Sequence, residues 1–412
     1  MPQSTVELMA PAGSYEALTA AIQGGANSIY FGVEQLNMRT KSTHNFTIED
    51  LTKIATICQG NGLKSYLTLN TIVYDHDIKL MQRICEEAKA AGITAIIASD
   101  YAVMNYCRKI GMTIHISTQT NVTNIETVEF YSVYADVMVL SRELSLMQVE
   151  SIAKEIKRRQ ITGPSGELIR LEVFGHGALC MAVSGKCYLS LHSNFSSANR
   201  GACIQNCRKS YIVTDKDTGQ ELEIQNEYIM SAKDLCTINF LDKIIDAGVT
   251  VLKIEGRGRS ADYVYKTTKC YREAIDSIAA GTYSQEKIDT WMTELSTVFN
   301  RGFWDGYYLG RLMGEWNDEY GSKATKRKIY VAKGITHYTK SSVAEFLMEA
   351  HEVKPGDEVL IIGPTTGVIE YTLPELFVDG QQAEKGEKGE RITFKIDEKI
   401  RPSDKLYKWV DA

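Results

Sequence analysis

Four of the nine cysteines in this chain of 412 residues fall between positions 180 and 207, in "GHGALCMAVSGKCYLSLHSNFSSANRGACIQNCRKSY" (175–211). Cys180 and Cys187 are separated by six residues, Cys187 and Cys203 by fifteen, and Cys203 and Cys207 by three. On a helical turn Cys203 and Cys207 share a face and can ligate one centre. Gly177, Gly185 and Gly201 let the backbone come close to a bound group. Thiolates are soft ligands that suit zinc or an iron–sulfur cluster. Structural zinc draws ligands in close pairs with roughly two to four residues between them, a rule that only Cys203 and Cys207 meet. A cysteine nucleophile is the weaker reading: His176 is near in sequence, but nothing singles out one thiol of the four. Of the remaining cysteines, Cys58, Cys85, Cys107 and Cys270 fall in helical patterns, where buried thiols act as small hydrophobes. An odd number of cysteines, in a reducing compartment, argues against a disulfide framework.

Short β-branched runs alternate with amphipathic stretches up to about residue 280. The strand candidates are "VELMA" (6–10), "SIYFGV" (28–33), "KSYLTLN" (64–70), "TAIIAS" (94–99), "TIHIS" (113–117), "DVMVLS" (136–141), "RLEVFG" (170–175) and "VLKIEG" (251–256). Eight strands with helical connections predict an α/β fold, a (β/α)8 TIM-like barrel over residues 1–320. The regularity breaks after the seventh strand, where a cysteine-rich insertion of about 176–230 ends in an apparent hairpin, "KSYIVTDKDTGQELEIQ". Loops leaving the carboxyl ends of barrel strands form the catalytic face. The thiols therefore stand where chemistry is expected, and their uneven spacing there leans toward iron–sulfur, with zinc and unligated thiols still open. Helices are expected over 260–280 and near 285–298. The composition shifts at "GSKATKRK" (321–328), and short strands with Gly and Pro turns predict a small C-terminal β-barrel domain over 325–412. Its loop "GQQAEKGEKGE" is expected to be a solvated tip.

A formal charge of −6 does not advertise a nucleic-acid partner, which a local basic face would have to hold. No apolar run of about 18 residues exists, so no membrane span is expected. "MPQSTVELMAPAG" lacks a basic-then-apolar leader, and a cytoplasmic location is expected. The chain has no H-E-x-x-H, no G-x-S-x-G and no P-loop, and its seven histidines form no zinc-peptidase set.

"EVFGHGALCMAVSGKCYLS" (172–190) resembles the signature of the collagenase-like U-32 peptidase family. That pattern is an acidic residue, an aromatic two on, G-[SA]-hydrophobic-C, four residues, G-x-C and a terminal Ser. Glu172, Phe174, Gly177, Ala178, Leu179, Cys180, Gly185, Cys187 and Ser190 supply every element. "ELMAPAGS", "LSRELS", "RGACIQNCR", "SAKDL" and "LKIEGRGRSADYV" extend the resemblance over nearly the whole chain. It implies a barrel followed by a small β domain. Despite the peptidase label, it also implies oxygen-independent hydroxylation of RNA or of ubiquinone precursors with a cysteine-bound 4Fe–4S cluster. The branch that this sequence looks most like hydroxylates the wobble uridine of tRNA to 5-hydroxyuridine and depends on prephenate. The implied ligands are Cys180, Cys187, Cys203 and Cys207. Cys236, in "SAKDLCTI", stands where some ubiquinone-branch relatives place their fourth ligand, and Cys207 is preferred. The implied partner is the tRNA anticodon loop, with room for a paralogous U-32 family subunit. Peptide hydrolysis, and RNA binding by a non-catalytic protein with structural zinc, are the alternatives.

His176, beside the cysteines, is a candidate for a hydrogen bond to a cluster sulfur or to substrate. His115, Ser117, Gln119 and Asn121 are expected to cluster at the end of the fifth strand, where they can hydrogen-bond a base or a carboxylate. Arg142 and Glu143 follow the sixth strand, and Glu255 and Arg257 the eighth. A dicarboxylate such as prephenate needs guanidinium forks, because bidentate pairing orients a planar carboxylate. His176, His115 and Glu255 are the candidate catalytic residues; Arg142, Glu143, Arg257, Gln119 and Asn121 are the candidate substrate-binding ones. Arg39, in "NMRTKS", is a weaker candidate. Lys and Arg alternate with Tyr in "RGRSADYVYKTTKCYR", where they suit phosphates and unpaired bases, or equally a solvated face.

Overall fold

The computed structural model describes residues 6–40, 45–209, 212–219, 221–222, 230–310, 314–316 and 321–412. Eight strands pair in parallel: β1 (Glu7–Pro11), β2 (Ser28–Phe31), β3 (Lys64–Leu69), β4 (Ala95–Ala98), β5 (Ile114–Ile116), β6 (Val137–Val139), β7 (Arg170–Ala178) and β8 (Val251–Ile254). β8 bonds to β7 on one side and to β1 on the other, which closes a TIM-like barrel. Each strand falls on one of the eight β-branched runs, because closure buries both faces and demands apolar residues on the outward side. The seventh runs on to Ala178, and this extension carries the insertion to the barrel mouth.

Helices follow the strands and cover them with their apolar stripes. In the helix Ile78–Ala90, Met81, Ile84, Cys85 and Ala88 are buried, a spacing that puts them on one face. Cys58, Cys107 and Cys270 are buried on neighbouring helices in the same way. Ser14 caps the first helix by accepting from the Ala17 N–H at 3.2 Å.

Between β7 and β8 the described part of the insertion holds a short helix, Leu189–Asn194, and turns at Ala198–Arg200 and Asn206–Arg208. Cys203 precedes the turn that carries Cys207, so no one helical turn holds the pair. The expected hairpin survives as Val213–Thr214 paired with Glu221–Leu222; its residues 210–211, 220 and 223–225 lie outside the described ones. The strand Asp234–Cys236 then returns antiparallel to the end of β7, with Cys236 opposite His176.

Beyond the barrel, eight antiparallel strands from Lys326 to Asp411 form one sheet around a second core of Val331, Phe346, Ile361, Ile392, Phe394 and Leu406. Phe346 and Phe394 stack with ring centroids 5.3 Å apart. This sheet docks on the barrel flank: Gln23 donates to the Thr366 carbonyl at 3.0 Å and accepts from the Val368 N–H at 2.8 Å. No helix among the described residues is long and apolar enough to cross a membrane.

Candidate active site

A cavity of about 270 Å³ opens at the carboxyl ends of the barrel strands. Tyr30 of β2, Thr68 of β3, Ile97 of β4, Val139 of β6, Phe174 of β7 and Lys253 of β8 form its floor and walls. Side chains alternate along a strand, so Lys253, Glu255 and Arg257 all reach the cavity from the end of β8.

The insertion roofs this cavity. Arg200 fastens it on one side by donating to the Asp77 carboxylate at 2.6 and 3.3 Å and to the Ile72 carbonyl at 2.6 Å. Arg208 fastens the other, donating to the carbonyls of Ala232 at 2.6 Å and Leu179 at 2.7 Å. Gly201, at φ +78°, lies so close to the barrel that a Cβ would stand 2.0 Å from the Asn37 carbonyl oxygen. Only glycine admits that approach.

Cys180, Cys187, Cys203 and Cys207 all line the cavity, and all are free thiols. Burial pushes the Cys207 thiol up; Arg208 opposes this, and Cys180, Cys203 and Cys187 are near enough to reinforce it. Cys236 is not among the lining residues: it is buried, donating to the Met292 sulfur at 3.7 Å and accepting from the Tyr271 hydroxyl at 3.8 Å. No three of the described His, Cys, Asp or Glu side chains are gathered around one point that could hold a single ion. The four thiols instead border a cavity, with arginines beside them and no carboxylate or imidazole among them. Soft thiolates are the donor chemistry that an iron–sulfur core would take.

Arg39, Arg142, Arg257 and Arg259 line the same cavity. Arg39 pairs with Glu255 at 2.8 Å, and the Tyr30 hydroxyl donates to the same carboxylate at 3.2 Å. Burial raises the Glu255 carboxyl, but Arg39, Arg142 and Arg257 outweigh it and hold the group near 2, fully ionised. Arg257 is buried, donates to the Thr68 hydroxyl at 2.9 Å, and is pushed down to about 10 by burial. Arg142 lies 3.7 Å over the Phe174 ring and donates to the Ala178 carbonyl at 3.2 Å, while its buried Nε has no hydrogen-bond partner among the described residues. Arg259 lies over the Phe299 ring at 3.6 Å. Lys253 donates to Glu172 at 2.9 Å beneath the floor. Gln119 also lines the cavity, where the Asn70 amide donates to it at 3.2 Å.

Four expected site residues stand elsewhere. His115 lies one inward position below Ser117, under the floor, with its ring 4.4 Å from that of Tyr66. His176 is turned out of the barrel by a register shift: Phe174 pairs with Lys253, but His176 pairs with Ile254, leaving Gly175 as a bulge. It packs instead among Tyr263, Tyr271 and Phe303. Neither of the two histidines expected to be catalytic borders the cavity. Glu143 is exposed and accepts from the Ser141 hydroxyl at 2.5 Å. Asn121 ends the turn after β5 in the left-handed conformation, outside the cavity. Neither is among the residues that line the cavity.

Burial lowers His115 and His176 from the usual 6.5 to about 3, so both are neutral in the folded chain. The unfolded chain binds protons between these values that the folded chain refuses. Their contribution to stability is thus complete above pH 6.5 and lost as pH falls toward 3. Thermal melts are expected to drop steadily from about pH 7 to 5, by up to about 1.4 kcal/mol per pH unit for each histidine. His176→Gln should flatten the slope; an unchanged slope would show that another group governs it.

Lys253, Arg301, Arg208, Asn70 and Tyr30 line the cavity without having been candidates from the sequence. For Lys253 the signal was present, since a lysine inside an apolar strand, two residues from Glu255, must face a polar interior. Arg39 carried no such mark, because only barrel closure brings it to Glu255.

The family model described as "Peptidase family U32" matches residues 13–318. The chain is 57% identical over 403 residues to a protein of Porphyromonas gingivalis named "Collagenase", covering 98% of this chain and 97% of the relative. It is 37% identical over 407 residues to a Methanocaldococcus jannaschii protein named as a protease, covering 98% of each. It is 29% identical over 411 residues to "tRNA hydroxylation protein P1" of Bacillus subtilis, covering 98% of this chain and 94% of the relative. The family match runs from the first barrel loop through the cysteine-bearing roof to the last barrel helix and beyond, and the chain belongs to peptidase family U32.

Proposed function

We propose that this protein is a tRNA-modifying enzyme that hydroxylates the wobble uridine to 5-hydroxyuridine without molecular oxygen, using a 4Fe–4S cluster and prephenate. The observation that supports it is the pairing, in one cavity, of four free thiols with a wall of arginines. Cys180, Cys187, Cys203 and Cys207 hold the cluster, which when bound supplies electron transfer. Arg142 and Arg257 hold the carboxylates of prephenate, since guanidinium forks orient planar carboxylates. Glu255, ionised and bonded to Arg39, sets the position of that arginine rather than donating a proton. The uridine enters from an anticodon loop, where bases are free to splay out. The name of the Bacillus subtilis relative supports this reading.

The name of the Porphyromonas gingivalis relative favours a second one, hydrolysis of collagen-like peptides. No histidine lines the cavity among the described residues, so a Cys–His or Ser–His pair has no base there. One experiment separates the two. Nucleosides from cells lacking the gene and its paralogues should contain no 5-hydroxyuridine at the wobble position, and the gene should restore it. Unchanged hydroxylation, together with gelatin cleavage that survives replacement of all four cysteines, would reverse the assignment.

A further inference from the structure

The insertion differs from the rest of the chain in charge. The protein has 52 acidic residues, yet none falls between Val173 and Thr214, where Lys186, Arg200, Arg208 and Lys209 all lie. Arg200 and Arg208 are used inside the protein, as described above. Lys186 and Lys209 are exposed, with no ion-pair partner among the described residues. On a chain of net charge −6, this acid-free stretch is a locally cationic segment.

In the same segment two aromatic rings stand in solvent. Tyr188 is 75% and Phe195 95% exposed, values far from those of rings that serve a core. They bracket the helix Leu189–Asn194, whose first residue lines the cavity, as does Cys187. Phe195 sits at φ +51°, a conformation uncommon for a residue with a side chain, held by its N–H bond to the Leu191 carbonyl at 2.9 Å. Seven residue steps across this helix set the two residues roughly 10 Å apart along its axis. Aromatic rings stack on bases of any sequence, and lysines beside them meet the phosphates.

We infer that Tyr188 and Phe195 form a stacking platform for the unpaired nucleotides flanking the base presented to the cavity, with Lys186 and Lys209 on their phosphates. The inference rests on the RNA-substrate reading above and assigns the residues that position that substrate. A single-stranded loop suits the face better than a duplex, whose bases offer no free ring surface.

The test uses the full chain and its variants Tyr188→Ala, Phe195→Ala and the double. Both sites are exposed, so equal thermal melts are expected. Affinity is read for an RNA stem-loop with an unpaired loop of anticodon size, and for a blunt RNA duplex, without prephenate. Each alanine should weaken loop binding about ten-fold, within the range for loss of a base–aromatic stack, and Phe195→Trp should restore it. Duplex affinity should not change. Loop binding equal in wild type and double variant overturns the inference, as does a wild type that binds no loop RNA. A change confined to self-association in sedimentation also overturns it, assigning the face to a second copy. If the rings govern loop binding but no 5-hydroxyuridine forms, the platform stands and the hydroxylase reading falls. If the double variant hydroxylates tRNA with an unchanged KM, the reverse holds.

Discussion

Cys187→Ser is expected to yield a folded protein that has lost its iron and at least about 100-fold of its hydroxylation activity, since even the outer partners of metal ligands cost roughly 10–100-fold when removed. Serine keeps the size of the side chain but is a hard, poorly acidic ligand where a soft thiolate is needed. Cys187 is half-buried on the cavity wall, so its replacement leaves the barrel core untouched. The measurement is iron and sulfide content, visible absorption and nucleoside yield, beside a thermal melt. Cys236→Ser is the control. Its thiol is committed to Met292 and Tyr271 outside the cavity, so iron content should stay at the wild-type level. Loss of iron in Cys236→Ser with retention in Cys207→Ser would exchange the two assignments.

The second large effect is on stability. Glu172 is fully buried beneath the cavity floor, with Lys253 at 2.9 Å. Its second oxygen faces His115 Nδ1 at 4.0 Å, and among the described residues neither atom has a hydrogen-bond partner. Burial raises the Glu172 carboxyl on balance, while the bonded Lys253 ammonium opposes that rise. Glu172→Ala leaves an ammonium in the barrel interior with no counter-charge, at an expected loss of about 3–5 kcal/mol. The double variant Glu172→Met/Lys253→Met should recover most of that loss, because two apolar side chains of similar volume replace the pair. Urea unfolding of the single and double variants measures both. Equal stability of Glu172→Ala and wild type would mean that the ion pair does not hold the floor together.

This pair also marks the boundary between what periodicity reveals and what it conceals. "RLEVFG" and "VLKIEG" each carry a charge inside an apolar run. In a barrel whose strands are buried on both faces, such a charge must point inward to a partner. The eight strands, the placement of the thiols after the seventh and the approach of Glu255 and Arg257 from the eighth were legible for the same reason. Alternation along a strand is local, and the loop after a barrel strand has only one face to occupy.

His176 shows where that logic fails. Counting in twos from Glu172 and Phe174 puts it inside the barrel, but the bulge at Gly175 shifts the register and sends it outward. One extra residue reverses every later side chain, and Gly175, a residue that often marks a bulge inside a strand, was its one local sign. Asn121 and Glu143 were placed near the rim correctly in chain order, yet a left-handed turn and an exposed corner carry them off the cavity. Glu255 meets Arg39 across 216 positions, and Cys207, not Cys236, joins the other thiols at the cavity. Those choices depend on how segments far apart in the chain converge once the barrel closes. Spacing could nominate the thiols and the charges; convergence in space selected which of them share one cavity.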